Sequence, residues 1–240
     1  MNTEKIFQES LIMENNNLIA FFKRGKSEHI QSLYETGEIY INTFMDMRKM
    51  DNNFDRSDPE DCIEYRKNLG ISKVTMANVG SDIETEGVTV EAENARILVD
   101  TIDKGNIYSL SALHAGFCKE DSPNWNYNID SFGPSLIVIN EPYVFLERVL
   151  EALRQANFID IQHQLVEYYN NSHSGKVGKF RKHERFKGQL EYRIYVPNPI
   201  EEPIKVYAGS LADIASIKHN NQKCRLTLTF NTGRQQYIDV

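Results

Sequence analysis

The stretch FKGQLEYRIYV, residues 186–196, carries three polar side chains at a spacing that suits chemistry. Leu190, Tyr192, Ile194 and Val196 alternate with Gln189, Glu191, Arg193 and Tyr195, so a period of two predicts a strand with its apolar set on one face. The other face then presents an amide, a carboxylate and a guanidinium in a row. That face is either the solvated side of a strand or a line of groups aimed at a substrate. Residues 176–187, KVGKFRKHERFK, lead into it with six Lys/Arg against one glutamate. Such a run is ordinarily a solvated surface, but its place beside a polar strand face also suits contact with an anionic partner.

A second cluster is acidic. Residues 51–64, DNNFDRSDPEDCIE, hold six carboxylates and one arginine. Asp58, Glu60, Asp61 and Glu64 are conceivable Mg²⁺ ligands, although a capped, solvated acidic helix accounts for them more simply. A metal-dependent nuclease built on them and Glu191 would want a lysine two places after that glutamate. Arg193 occupies the position, and arginine is a poor proton shuttle. His29, His114, His163, His173, His183 and His219 show no metal spacing, and no glycine-rich phosphate loop is present. No metal site is expected.

The composition sets wide bounds. The chain has 240 residues, 40% hydrophobic and 25% charged, as in an ordinary globular protein. A net charge of −7 argues against general affinity for nucleic acid. No apolar run approaches a bilayer span, so no membrane partner is expected. The acidic, polar start MNTEKIFQESLIMENNN is unlike a secretory signal. Cys62, Cys118 and Cys224 are odd in number and lack C-x-x-C spacing, which fits reduced thiols in a cytoplasmic protein.

The elements that would position these residues read mainly as strands. NNLIAFF (16–22) predicts a strand, KRGKS a turn, and SEHIQSLYETG a helix with Ser27 as N-cap and Gly37 closing it. EIYINTF is a strand, and RSDPEDCIEYRKN a helix start with Ser57, Pro59 and Glu60 in capping positions. ISKVTMANV, VTVEAENARILVDT, NIYSLSAL and SLIVI read as strands, with SDIETEG as a turn between the first two. EPYVFLERVLEALRQ repeats Leu146, Val149, Leu150 and Leu153 on one helical face. FIDIQHQLVEYY, QLEYRIYV and KCRLTLTF are strands, and PIKVYAGSLADIASI a strand turning helical. Without regular βα alternation, repeats or a linker, this predicts a single α+β domain over 1–240 with a mostly antiparallel sheet.

Arg24 after the first strand, SLS (Ser109–Ser111) after a middle strand and QLE (Gln189–Glu191) near the end resemble the R…S-x-S…Q-x-E pattern of ADP-ribosyltransferases. The opening unit FFKRGKSEHIQSLYETGEIYINTF is similar too. NIYSLSA, SFGPSLIVI, QLEYRI and AGSLADI resemble bacterial domains of this broad fold, some beside defence or toxin genes. The resemblance spans most of the chain in order, through motifs of two or three residues each. It implies a split β-sandwich with N-terminal and mid-chain helices that grips NAD in a cleft.

The resemblance also implies roles. Breaking the nicotinamide–ribose bond builds positive charge on the sugar, so Glu191 would stabilise the transition state as a carboxylate beside it. On a strand Gln189 would share its face, roughly 6.5–7 Å away, and meet the acceptor. Arg24 would bind the NAD phosphates. Ser109 would order the carboxylate or the ribose, with Ser111 and Tyr108 in support. Ala112 departs from the pattern, which favours a third hydroxyl there. Trp125 and Tyr127 would lie in a loop suited to aromatic contacts. The implied activity is transfer of ADP-ribose to a macromolecule by a bacterial toxin or anti-phage effector, with a neutralising antitoxin as corollary. Nucleic acid is the favoured acceptor, held by Lys179, Arg181, Lys182, Arg185 and Lys187, and protein is next. The alternative is a non-catalytic binding or immunity module.

Overall fold

The computed structural model describes residues 17–49, 58, 60–70, 73–76, 88–91, 95–101, 103–116, 132–219, 225–229 and 235–239. The N-terminal part contains strand β1 (Leu18–Gly25), helix α1 (Ser27–Thr36), strand β2 (Glu38–Thr43) and the short helix α2 (Phe44–Lys49). Strands β3 (Tyr65–Asn68), β4 (Lys73–Met76), β5 (Val88–Glu91), β6 (Arg96–Val99), β7 (Gly105–His114) and β8 (Ser135–Ile139) follow, then helix α3 (Pro142–Gln155). The rest comprises β9 (Gln162–Leu165), β10 (Glu167–Tyr169), β11 (Gly175–Lys176), β12 (Arg181–His183), a 3₁₀ helix (Glu184–Gln189) and β13 (Glu191–Pro197). It closes with β14 (Ile204–Tyr207), β15 (Ala215–Lys218), β16 (Arg225–Thr229) and β17 (Gln235–Asp239). This is a mixed α+β chain with mostly antiparallel strands in open sheets. Among the described residues β10 and β12 form the only parallel pair. No described helix is long and apolar enough to cross a membrane.

The eight-stranded sheet draws on β1, β2, β7, β8, β9, β13, β14 and β15. At its centre, β7 is buried along nearly its whole length, as its apolar residues on both faces require. One edge of β7 pairs with β13 from Gly105 to Ser111. The other edge is shared: β2 pairs at Asn106 and Ile107, and β1 takes over from Ser111 to His114. Between those two partners the sheet divides. The carbonyl of Ser109 falls in this gap, where Lys23 Nζ donates to it at 2.8 Å. A buried carbonyl needs such a donor once no strand supplies one.

One face of the sheet carries the main apolar core. Phe21 of β1 meets Phe145 of α3 edge-on at 5.9 Å and Tyr192 of β13 at 5.0 Å between ring centroids. α3 buries Leu146, Val149 and Leu153 of the stripe that its sequence repeats predict, with Phe145 buried in addition and Leu150 half-buried, and Pro142 occupies its first turn. The other face is covered near Tyr195 by Phe44, stacked on it at 5.6 Å, and by Cys62.

Several expectations change. β1 continues through Lys23 and Arg24 instead of turning there, because both stay in register with β8. Ser27 does not cap α1; its hydroxyl meets that of Ser135 at 2.8 Å. The described part of the acidic segment is a turn, not a helix: Asp58 Oδ1 accepts from the Glu60 N–H at 3.0 Å and Cys62 adopts φ 58°. The piece after β14 is likewise a turn before β15. The strand expected to begin at residue 186 begins at Glu191, since residues 184–189 form the 3₁₀ helix and Leu190 is left-handed at φ 43°. Ser57, Pro59, Cys118, Trp125, Tyr127, Cys224 and the turn SDIETEG lie outside the described residues.

Gly37 ends α1 at φ 65°, and a Cβ there would sit 2.2 Å from the Gly209 carbonyl oxygen. Gly37→Ala is therefore expected to lower the unfolding free energy by at least about 2 kcal/mol, seen as a lower urea midpoint at unchanged slope.

Candidate active site

Strands β1, β7 and β13 lie side by side, and their registers align the polar motifs. Phe22 pairs with Ser111, which pairs with Glu191 across the next strand boundary. Residues two places along each strand repeat the face, so Arg24, Ser109 and Arg193 stand beside them. Tyr108, Leu110 and Tyr192 point the other way, into the core. The three segments singled out in the sequence thus share one face of three neighbouring strands. Arg24, Ser109, Ser111, Gln189 and Glu191 line one cavity of about 140 Å³, together with Lys23, Lys182 and Phe132.

Glu191 is only 4% exposed, and both of its oxygens are engaged. Oε1 accepts from Ser109 Oγ at 2.6 Å and from Arg193 Nε at 2.7 Å, and Oε2 from Lys182 Nζ at 3.0 Å. Arg193, fully buried, also donates from both terminal nitrogens to Asp61 at 2.8 Å each. Lys182 Nζ reaches Gln189 Oε1 at 3.0 Å and lies 3.8 Å from Asp61. Two carboxylates and two cations therefore balance inside the protein. Burial by itself would raise the Glu191 pKa. The nearby charges of Arg193 and Lys182, with hydrogen bonds from Arg193 and Ser109, outweigh it and hold the carboxyl well below its usual range. The Glu191 N–H is anchored by the Tyr168 hydroxyl at 2.8 Å; burial, then the Glu191 charge, raises that phenol's pKa and keeps it neutral.

The expected residues do not all fall as expected. Ser109 orders the carboxylate, and Arg24 is buried in the cavity wall. Gln189 reaches the cavity from the end of the 3₁₀ helix, not from a strand face two residues before Glu191, and Lys182 bridges the two. Tyr108 turns away from the serines, and its buried hydroxyl has no hydrogen-bond partner among the described residues. The polar face of β13 is not wet, because the turn carrying Asp61 covers it.

The basic run is largely engaged within the molecule. Lys179 pairs with Asp103 at 3.0 Å, Arg181 with Glu167 at 2.8 Å and Arg185 with Asp58 at 3.6 Å, while Lys187 is exposed. Glu64 meets Lys176 at 3.1 Å, and Glu60 pairs with Arg66 and Arg96. The described acidic residues thus face cations, and no cluster of His, Cys, Asp or Glu among the described residues is arranged to hold a metal ion.

The sequence offered Lys182 only as a cation for an acceptor and Asp61 only as a metal ligand beside Glu191, not as ion-pair partners in this cluster, and it did not single out Lys23. Lys182 was one cation in a run, and nothing in the local spacing distinguishes a lysine that folds inward. A larger cavity of about 420 Å³ lies elsewhere, lined by Phe44, Cys62, Gln162 and Gln164 among others, and includes none of the motif residues. Chemically, the motif cavity offers one ionised carboxylate, two hydroxyls and the cations Lys23, Arg24 and Lys182. It suits an anionic ligand with sugar-like hydroxyls. Drug-sized ligand pockets measure roughly 300–1,000 Å³, so a whole dinucleotide would extend beyond it.

Replacing Arg193 by Met leaves two buried carboxylates facing Lys182 alone, and is expected to cost about 3–5 kcal/mol of stability in urea unfolding. A lowered Glu191 pKa means that the unfolded chain takes up the proton first as acid is added. Its contribution is complete above the ordinary value of 4.5 and is lost as pH falls below it. Glu191→Gln should flatten the loss of stability between about pH 5 and about pH 3, and unfolding midpoints across that range check it.

Comparison of the chain with protein-family models, with curated proteins and with solved structures gave no match in any of the three.

Proposed function

We propose that this chain is an NAD-dependent ADP-ribosyltransferase that modifies a macromolecule, as a toxin or anti-phage effector on a split β-sandwich of that type. One observation carries the reading: Arg24, Ser109, Ser111 and Glu191, separated by up to 167 positions, line one cavity on one face of β1, β7 and β13. The division of the sheet at Ser109 is consistent with a split sandwich. As the nicotinamide bond breaks, the ribose gains positive charge. An ionised Glu191 fixed by Ser109 stabilises that charge without having to reorganise. Arg24 would take the phosphates in bidentate fashion, and Gln189 would face the acceptor. Because most of the basic run is paired internally, it gives no preference between a nucleic-acid and a protein acceptor.

A second reading, a non-catalytic binding or immunity module, is favoured by one feature. Glu191 is already neutralised by Lys182 and Arg193, which weakens its pull on a developing cation.

The test is incubation of the purified chain with adenylate-labelled NAD and cell lysate, followed by separate nuclease and protease digestion. Transfer is expected, with Glu191→Gln reducing turnover about 10²–10³-fold and Arg24→Lys acting mainly on KM. Label released only by nuclease identifies a nucleic-acid acceptor, and label released only by protease a protein. Undiminished NAD turnover by a folded Glu191→Gln variant would sink the transferase reading, and absence of any NAD turnover supports the binding module.

A further inference from the structure

The second, larger cavity takes no part in the chemistry proposed above. Its volume of about 420 Å³ falls within the roughly 300–1,000 Å³ of small-ligand sites. Arg193 stands between the two cavities. Its Nε donates to Glu191 in the first at 2.7 Å, and its Nη1 to the carbonyl of Lys179, in the wall of the second, at 2.8 Å. β9 forms one side of the second cavity and, among the described residues, pairs only with β13, which makes it an edge strand. Gln162 and Gln164 lie opposite Tyr195 and Arg193, so period two sends both amides to one face, roughly 6.5–7 Å apart along the strand. Both residues are exposed and line the cavity, and neither side chain has a hydrogen-bond partner among the described residues.

We propose that this cavity binds an extended, uncharged peptide segment and reads its backbone through Gln162 and Gln164. Charge decides against ions. The wall holds three cations and three anions, matched as Lys176 with Glu64 at 3.1 Å, Lys179 with Asp103 at 3.0 Å and Arg181 with Glu167 at 2.8 Å. A charged ligand would find every counter-charge engaged, whereas an uncharged one has no pair to break.

Spacing selects the kind of uncharged ligand. A primary amide donates and accepts at once, and each peptide residue offers the complement through its C=O and N–H. In an extended chain these groups turn to the same side at every second residue, again roughly 6.5–7 Å apart. Two glutamines on one strand therefore match residues i and i+2 of a peptide laid alongside, a three-residue segment about 10 Å long. Val177 and Phe180 add apolar surface to the wall for its side chains.

The test titrates N-acetyl-Val-Ala-Val-amide into the isotope-labelled full chain, with NAD absent, and follows the side-chain NH₂ signals of Gln162 and Gln164 by NMR. Gln162→Leu and Gln164→Leu assign those signals by removing them. Both signals are expected to shift saturably. N-methylation of the two valine nitrogens, which removes their donors and adds no charge, should weaken binding at least about tenfold, and each glutamine variant about three- to tenfold. Exchanging one valine of the peptide for aspartate or for lysine should weaken binding in both cases. The two variants alter exposed positions, so unfolding midpoints equal to that of the parent chain show that the fold is retained. Undiminished affinity for the N-methylated peptide, or in the double glutamine variant, overturns the proposal. So does the absence of saturable shifts, or adenosine binding more tightly than the peptide through the same two amides. None of these outcomes involves NAD, so they leave the chemistry of the motif cavity untouched.

Discussion

Two carboxylates and two cations are enclosed together beneath the sheet, and the local structure on that side follows from the need to keep them matched. Each ion taken out of water costs several kcal/mol, which is recovered only where geometry and hydrogen bonds are good. Asp61 and Arg193 meet that condition with a doubly bonded pair, and Glu191 and Lys182 with a ring of donors. The turn carrying Asp61, the start of β13 and β12 are tied to one another by this requirement. A cluster of this kind specifies arrangement more than it adds stability, since a wrong register would strand a charge.

The same cluster fixes the state of the candidate site. An isolated buried glutamate would take up a proton, but Arg193 and Lys182 keep Glu191 ionised. They also draw on the charge that a reacting sugar would need. The cavity therefore sits between two designs, a preorganised catalytic carboxylate and a balanced structural one, and the chemistry turns on how Lys182 behaves when a ligand enters. Lys182 bridges Gln189 and Glu191 and so touches both residues of the motif.

Backbone topology supplies the second constraint. Because β7 passes from β2 to β1 along one edge, its middle residues lose strand partners where the polar face begins. A lysine fills that opening. The arrangement explains why a basic residue with a lowered pKa lies next to the serines.

The periodic elements were legible from the sequence, because period-two and helical apolar patterns report burial directly. α1 with Gly37, β8 and α3 follow from local residues alone, as does the mostly antiparallel α+β class. The order of Arg24, the serines and Glu191 along the chain was also visible. What tertiary structure decided is which polar residues go inside. Glu191, Arg193, Asp61 and Lys182 look like ordinary surface charges in any local window. Burial becomes possible when Asp61 meets Arg193, 132 positions away, at 2.8 Å beside the nearer pair Lys182 and Glu191. The acidic run departs from a helix for a related reason: Asp58, Asp61 and Glu64 answer to Arg185, Arg193 and Lys176, distant cations that no local pattern encodes.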